Sequence, residues 1–228
     1  MRPILRAVGL TRIYASSSAE VRACDDVTLE VAAGELVVVR GPSGAGKTTL
    51  LNLLGGLDTP TGGQVFVEGV ELGTLDEDAL GDLRRTRLAY IFQSFGLIPV
   101  LSAAENVEVP LRLARMDGRL RDARVAQALA AVGLAEHGAQ RPGELSGGQQ
   151  QRVGIARALV TEPGVLLADE PTAQLDSSTA GTVMDLIAGL VRERGIAAVV
   201  STHDTLLVAR ADRVIELHDG RVLSARAR

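Results

Sequence analysis

The chain carries the run Gly41-Pro42-Ser43-Gly44-Ala45-Gly46-Lys47-Thr48, which matches the phosphate-loop pattern G-x-x-x-x-G-K-[ST]. The apolar run Leu36-Val37-Val38-Val39 precedes it, and the helix-forming stretch Thr48-Thr49-Leu50-Leu51 follows it. The pattern therefore stands between a predicted strand and a predicted helix, which is the context that this motif requires. Its glycines let the backbone approach phosphate oxygens closely, and the helix N-terminus presents N–H groups to negative charge.

Two side chains of the loop and two acidic residues downstream are candidates for chemistry on a nucleotide. Lys47 supplies a positive charge for the β- and γ-phosphates, and Thr48 offers a hydroxyl to Mg²⁺, which prefers oxygen ligands. The apolar run Val165-Leu166-Leu167-Ala168 leads into Asp169, a second candidate ligand, although alone it could be a strand-ending carboxylate that caps a loop. Glu170 comes next and is the candidate base for the attacking water.

A third motif, Leu145-Ser146-Gly147-Gly148-Gln149, lies between the other two. Ser146 can cap a helix that starts there, which leaves the N–H groups of Gly147 and Gly148 and a positive helix end for an anion. The three motifs in this order resemble the ATP-binding cassette (ABC) family, and the resemblance covers essentially the whole chain. A glycine-rich turn in an unrelated α/β domain is the alternative, and it does not explain the ordered set.

The resemblance implies further site residues, named from their places in the family pattern. Gln93 would sense Mg²⁺ and the attacking water, Asp176 would link two sites across a dimer, and His203 would contact the γ-phosphate. Taken singly, Gln93 could be a polar strand end and His203 a loop histidine. Tyr14 stands about where the family has an aromatic that stacks on adenine, with a core tyrosine of a small sheet as the alternative.

Together these assignments give a complete candidate site for ATP and Mg²⁺. The predicted catalytic residues are Glu170, His203 and Gln93, and the predicted metal ligands are Thr48, Gln93 and Asp169. The predicted nucleotide contacts are Tyr14, Gly41, Pro42, Ser43, Gly44, Ala45, Gly46, Lys47, Thr48, Thr49, Ser146, Gly147, Gly148, Gln149 and Asp176. In the family the signature faces the phosphate loop of a second copy, so the resemblance implies a dimer around two ATP molecules.

The predicted fold class is α/β, with a P-loop NTPase (RecA-like) parallel-sheet core, an antiparallel β subdomain and an inserted α-helical subdomain. Alternating segments in the first forty residues and the run Gln64-Val65-Phe66-Val67-Glu68 indicate the small antiparallel sheet. Strands near 165–168 and 197–200, with a helix between them, indicate a parallel sheet. We expect one ABC ATPase domain over 1–228, with 1–93 and 161–228 as the nucleotide-binding core and 94–160 as the helical subdomain.

Composition and charge are those of an ordinary soluble protein, with 23% charged and 46% hydrophobic residues. No apolar run approaches the ~20 residues of a membrane span, and the start, Met1-Arg2-Pro3-Ile4-Leu5-Arg6, lacks the apolar stretch of a secretory signal, so we expect a cytoplasmic location. The net charge of −4 gives no general attraction to nucleic acid. The basic cluster Arg84-Arg85-Thr86-Arg87 is better explained as a solvated helix end.

Finer motifs resemble the lipoprotein-release and macrolide-exporter (LolD/MacB-type) branch of the family. These motifs are Gly55-Gly56-Leu57-Asp58-Thr59-Pro60-Thr61-Gly62, Phe92-Gln93-Ser94-Phe95-Gly96-Leu97-Ile98-Pro99 and Ala104-Glu105-Asn106-Val107. Two departures from the pattern are Ala168 before the metal aspartate and Ala173-Gln174 before Leu175-Asp176. Neither departure changes a candidate catalytic side chain.

The implied partners are a second copy of the chain and integral membrane permease subunits, which would hold it at the inner face of the cell membrane. We expect the apolar run Phe95-Gly96-Leu97-Ile98-Pro99-Val100-Leu101 to receive a short helix from a membrane subunit, or else to pack beneath the helical insertion. One alternative function is an FtsE-like cassette that regulates a cell-wall hydrolase through a membrane partner. Another is a soluble, non-transport cassette.

Overall fold

The computed structural model describes residues 3–15, 20–203 and 208–227. The strands described are, in chain order, β1 Leu5–Ala15, β2 Glu20–Val31, β3 Leu36–Arg40, β4 Gly62–Val67, β5 Val70–Glu71, β6 Leu88–Ile91, β7 Val165–Asp169, β8 Ala197–Ser201, β9 Arg213–His218 and β10 Arg221–Ala227. The α-helices described are α1 Lys47–Leu54, α2 Glu77–Thr86, α3 Ala103–Leu113, α4 Gly118–Ala131, α5 Gly147–Leu159 and α6 Ser177–Arg194.

The central layer, within the described residues, is a six-stranded sheet in the order β10-β9-β3-β8-β7-β6. Neighbouring strands from β9 to β6 run parallel, as the alternation of strands and helices predicted. The edge strand β10 pairs antiparallel with β9 through a turn at Asp219 and Gly220, both of which have positive φ. The turn has the Asp-Gly sequence that a two-residue turn of this hand favours.

Alternate residues of the central strands face opposite sides of this sheet. Leu36 and Val38 of β3 pack in an apolar cluster with α3, α4, α5 and α6. Val37 and Val39 pack in a second cluster with α1 and the other sheet of the protein. The six-stranded sheet is therefore covered on both faces, which explains why its strands are uninterrupted apolar runs.

The second sheet has, in the described part of the chain, four strands in the order β2-β1-β4-β5, and its pairings are antiparallel. This confirms the predicted antiparallel subdomain, in which β1 and β2 span 11 and 12 residues. Each continues through a residue with positive φ, Gly9 in β1 and Asp26 in β2, where the register shifts. Asp25 N donates to Gly220 O (2.9 Å), and this bond ties β2 to the hairpin of the central sheet.

Helices α3, α4 and α5 fill the segment between β6 and β7 and pack on one another. Their N-termini are capped by Ser102, Asp117 and Ser146, whose side chains accept from backbone N–H groups of the first turn. Arg84 and Arg85 lie in the last turn of α2, as expected of a basic helix end. None of the helices in the described ranges has the length and apolar character of a membrane span.

The close approach of β4 to β1 gives a stability test. Gly63 has a φ of 82°, and an added Cβ would lie 2.3 Å from Gly9 O, whereas Gly69 has a φ of 83° with no described heavy atom within 4 Å of an added Cβ. Gly69→Ala should therefore lower the free energy of unfolding by about 1–2 kcal/mol, because alanine is strained in a left-handed backbone. Gly63→Ala should lower the free energy of unfolding by about 1–3 kcal/mol more, because its Cβ would also overlap Gly9 O. Urea unfolding measures both free energies, and equal losses would contradict the close approach.

Candidate functional site

The phosphate loop occupies a cleft of about 710 Å³ at the carboxyl ends of the parallel strands. Three strands each deliver one residue to it: Gln93 follows β6, Glu170 follows β7 and His203 follows β8. Ligand sites of open parallel sheets lie at this edge. The cleft is lined by residues 21–23, residues 41–49, Gln93, Glu170, His203 and Asp219. The structure thus brings the predicted catalytic residues together beside the loop.

The backbone of the phosphate loop contacts neighbouring backbone at its two ends and is open in its middle. An added Cβ would lie 2.2 Å from Leu217 O at Gly41 and 2.0 Å from Ala23 O at Gly46, but at Gly44 it would meet no described heavy atom within 4 Å. Among the described residues, no side chain caps the first turn of α1. The N–H groups of that turn therefore remain available to an anion, as the motif predicted.

Lys47 lies inside the curve of the loop. Its Nζ donates to Gly41 O (2.9 Å) and Pro42 O (3.1 Å) and stands 3.8 Å from Oε1 of Glu170. Both side chains are largely buried, so the positive charge and the carboxylate face each other across the cleft with little screening by water.

Asp169 ends β7 between two hydroxyl groups. Thr48 Oγ1 donates to its Oδ2 (2.7 Å), and Ser201 Oγ donates to its Oδ1 (2.5 Å). In the described part of the chain, no group of three or more His, Cys, Asp or Glu side chains could hold a metal alone. One carboxylate and one hydroxyl fit Mg²⁺, because this ion binds through one or two carboxylates together with substrate phosphates.

Glu170 is held by both its backbone and its side chain. Its φ of 45° lies in the left-handed region that a residue with a side chain rarely adopts. Its N–H donates to Ser201 O (3.1 Å) and to Ser201 Oγ (3.0 Å). Its Oε2 lies 3.0 Å from Nδ1 of His203. The carboxylate is therefore fixed between the lysine and the histidine.

The signature residues cap α5 as the sequence predicted, through a reciprocal pair of bonds. Ser146 Oγ accepts from Gln149 N (3.3 Å), and Gln149 Oε1 accepts from Ser146 N (2.8 Å). Gly148 packs against α6 so closely that an added Cβ would lie 2.3 Å from Cγ2 of Thr179. Asp176 caps α6 there, and hydrogen bonds from Thr179 and Ser178 lower the pKa of its carboxyl group.

The signature residues and Asp176 thus form a second surface, which we call the signature patch and define as residues 146–149 and 176. None of them is among the described residues that line the phosphate-loop cleft. Within one chain the cleft and the signature patch are separate.

Tyr14 lies next to the cleft but is not among the described residues that line it. It pairs across the sheet with Val21, which does line the cleft. Its hydroxyl donates to Asp58 Oδ2 (2.6 Å), and the Arg12 guanidinium lies 4.5 Å from its ring centroid. Burial alone would raise the pKa of Asp58, but hydrogen bonds from Tyr14 and Thr59 and the charge of Arg12 lower it. A role for Tyr14 in binding adenine stays a prediction.

Three further side chains shape the site without having been predicted to do so. Ser201 contacts both acidic residues, as described above. Buried Asn106 accepts from Ile98 N and donates to three carbonyl oxygens within residues 98–102, which fixes the segment after Gln93. Arg157 of α5 donates to Gly96 O (2.6 Å) and Phe95 O (3.3 Å), and burial lowers its pKa. Asn106 and Arg157 could have been found in the sequence only as polar residues on otherwise apolar helix faces.

A model of the family described as ABC transporter matches residues 24–173. The chain belongs to the ABC transporter family. It is similar to the lipoprotein-releasing system ATP-binding protein LolD of Chromohalobacter salexigens, with 46% identity over 96% of this chain and 92% of that one. It is also 44% identical, over 98% of its length, to the macrolide export ATP-binding/permease protein MacB of Salmonella typhimurium, of which it spans 34%.

Solved structures of this family have the same fold. The ATP-binding cassette MJ0796, in a dimeric post-hydrolysis state bound to ADP and Pi, has a TM-score of 0.89 and 40% identity over 98% of both chains. The protein cbiO1 of Clostridium perfringens, part of the transporter complex cbiONQ, also has a TM-score of 0.89, with 27% identity over 100% of this chain and 89% of that one. The chain is accordingly a nucleotide-binding ATP hydrolase of the ABC family.

The position of Tyr14 gives a spectroscopic test of the adenine prediction. The chain has no Trp, and its two tyrosines are Tyr14 and Tyr90. In a Tyr90→Phe protein the tyrosine emission comes from Tyr14 alone, and ATP should quench it saturably. Tyr14→Ala should weaken ATP binding about 3- to 10-fold, the range expected for one lost aromatic stack. Tyr14→Phe protein, which retains Tyr90, is the control. Unchanged emission together with unchanged affinity would leave Tyr14 as a residue of the sheet only.

Proposed function

We propose that two copies of this chain enclose two ATP molecules, and that ATP hydrolysis drives conformational change in membrane permease subunits. The observation that carries this proposal is the separation of the phosphate-loop cleft from the signature patch on one chain. Each surface has free N–H groups at a helix N-terminus suited to an anion. A second copy in head-to-tail orientation would bring a signature patch to each cleft, and the dimeric form of the similar cassette MJ0796 supports this arrangement.

Within each site the chain's own groups divide the work. The N–H groups of the loop and the Lys47 ammonium would bind the phosphates. Thr48 and Asp169 would hold Mg²⁺, with Gln93 at the edge of the same cleft. Bound there, Mg²⁺ would neutralise charge on the phosphate oxygens. The signature residues and Asp176 of the second copy would complete the phosphate contacts.

Glu170 would act as the base. Its carboxylate would take a proton from water as that water attacks the terminal phosphorus, the bond to the ADP oxygen breaks, and ADP and phosphate result. His203 would orient this carboxylate through its Nδ1, 3.0 Å from Oε2, which leaves Nε2 for the γ-phosphate. Lys47, 3.8 Å from Oε1, would hold the same carboxylate from its other side.

We also propose that residues 1–93 and 161–228 act as the nucleotide-binding core and residues 94–160 as a helical subdomain. In support, α3, α4 and α5 pack closely on one another, and α5 carries the signature at its start. The segment after Gln93 joins the two parts, where Asn106 and Arg157 hold it.

A groove of about 690 Å³ between α2, β6, α3 and α5 is the proposed contact for a permease subunit. Apolar Phe92 and Leu113, which are 46% and 64% exposed, line it together with Arg84, Arg85 and Arg157. Of the expected run 95–101, Ile98 and Val100 are exposed, whereas Leu97 is partly buried against the helical core cluster. Assembly through this groove would place the chain at the inner face of the membrane. The names of LolD and MacB favour lipoprotein release or export as the process.

Replacement of the base tests the proposed chemistry. Glu170→Gln should lower steady-state ATP hydrolysis by about 10²- to 10⁴-fold, the usual contribution of a general base, and leave ATP affinity intact. Size-exclusion chromatography with ATP should then show dimers. The double variant Glu170→Gln/Ser146→Arg is the control: it should not form these dimers, although ATP should bind to its cleft as before. Hydrolysis by Glu170→Gln at the wild-type rate would exclude this role for Glu170.

Introduction of a negative charge into the groove tests the partner surface. Leu113→Glu should prevent copurification with the permease subunits and the stimulation of ATPase activity by them, because a desolvated carboxylate would face the apolar floor. The isolated chain should still hydrolyse ATP at its basal rate. Leu120→Glu, on α4 and similarly exposed at 63% but outside the described groove lining, is the matched control. Equal copurification of both variants would place the interface elsewhere.

A further inference from the structure

Ser201 joins the two acidic residues of the site from a neighbouring strand. It is the last residue of β8, it is fully buried, and the parallel register places it opposite Asp169 at the end of β7. A buried hydroxyl needs hydrogen-bond partners, because leaving it unpaired costs free energy. Both of its partners here belong to residues with proposed roles in hydrolysis.

The hydroxyl is the middle member of a continuous chain of hydrogen bonds. The N–H of Glu170 donates to Ser201 Oγ (3.0 Å), and Ser201 Oγ donates to Asp169 Oδ1 (2.5 Å). The other oxygen of Asp169, Oδ2, accepts from Thr48 Oγ1 (2.7 Å) at the start of α1. Buried hydrogen bonds in series polarise and strengthen one another. The backbone of Glu170 is therefore connected through Ser201 and Asp169 to the helix of the phosphate loop.

The backbone of Glu170 needs such support. A residue with a side chain at a φ of 45° is strained, and a strained conformation persists only where the surroundings hold it. The Glu170 N–H has two acceptors, the carbonyl and the hydroxyl of Ser201. Removal of the hydroxyl would leave the carbonyl alone to hold this turn, and Asp169 Oδ1 would lose its donor.

We propose that Ser201 is a positioning residue for ATP hydrolysis. Its hydroxyl orients the Asp169 carboxylate toward Thr48 and fixes the backbone of Glu170, so the metal ligand and the base keep one relative position. Ser201 is not among the described residues that line the phosphate-loop cleft, so its loss leaves metal-free nucleotide binding intact. This inference rests on the proposed roles of Asp169 and Glu170.

The test compares Ser201→Ala, Ser201→Thr and, as a matched control, Val200→Ala. Val200 is the fully buried neighbour on β8 and packs into the apolar cluster on the opposite face from Ser201's polar contacts. Ser201→Ala should lower kcat about 10- to 100-fold, as expected for a lost hydrogen bond to a charged group, while KM for MgATP should rise by only about 3- to 10-fold through the weaker metal contact. Ser201→Thr keeps the hydroxyl and should restore most of kcat. Val200→Ala should keep a kcat within about threefold of wild type, as expected of a change that removes packing only.

Binding measurements supply a readout apart from activity. By calorimetry, Ser201→Ala should bind ATP in EDTA as wild type does, but the gain in affinity on adding Mg²⁺ should shrink about 3- to 10-fold, since one ligand is less well oriented. If Ser201→Ala does not fold, Ser201→Cys fills the site with a somewhat larger group that is only a weak donor, and it should show the same losses.

The outcomes separate this inference from the proposed function. Wild-type kcat and Mg²⁺ dependence in Ser201→Ala, with Glu170→Gln inactive, would overturn the role of Ser201 alone. An equal loss of kcat in Val200→Ala would also overturn it, because β8 packing would then be the cause. An active Glu170→Gln would instead overturn the proposed function.

Discussion

Parallel pairing of β3, β8 and β7 is the constraint on which the rest of the site depends. Thr202 N donates to Val39 O and Glu170 N donates to Ser201 O, so the ends of three strands are joined by backbone bonds just where their polar residues begin. A slip of one residue would turn these side chains to the opposite face. The apolar alternation that buries both faces of the sheet therefore also fixes the distances between Thr48, Asp169 and Glu170.

The charged side chains of the cleft each have partners of opposite charge or hydrogen-bonding groups. The Lys47 ammonium is bound by two carbonyl oxygens and lies near Glu170, while Asp169 is satisfied by two hydroxyl groups. A negatively charged ligand entering the loop would compete with Glu170 for the same ammonium. Glu170 would nevertheless keep its contact with His203, which would hold the proposed base in place when Lys47 binds the phosphates.

Local patterns predicted the elements of the fold and the phosphate loop, because a strand, a glycine loop and a helix start each have a short-range signature. They did not predict that β1 and β2 continue through Gly9 and Asp26, since residues of these types usually indicate turns. Ser201 and Asp58 act on partners that are distant in sequence, and no spacing rule indicates such contacts. Leu97 is partly buried against the helical core cluster and Val100 of the same run is exposed, and hydrophobicity alone does not distinguish these two environments.

The hydrogen bonds of Arg157 couple the position of α5 to that of the segment after Gln93. Its guanidinium holds the carbonyl groups of Phe95 and Gly96, two and three residues beyond Gln93, and it belongs to the helix that starts at the signature. A planar group with two bonds to one short segment allows little slippage between that segment and the helix. A displacement of the segment that follows Gln93 would therefore also move the C-terminal end of the signature helix. The thirteen residues of α5 thus connect the proposed phosphate contacts at its start with Arg157 and Ala158, which line the proposed permease groove near its end.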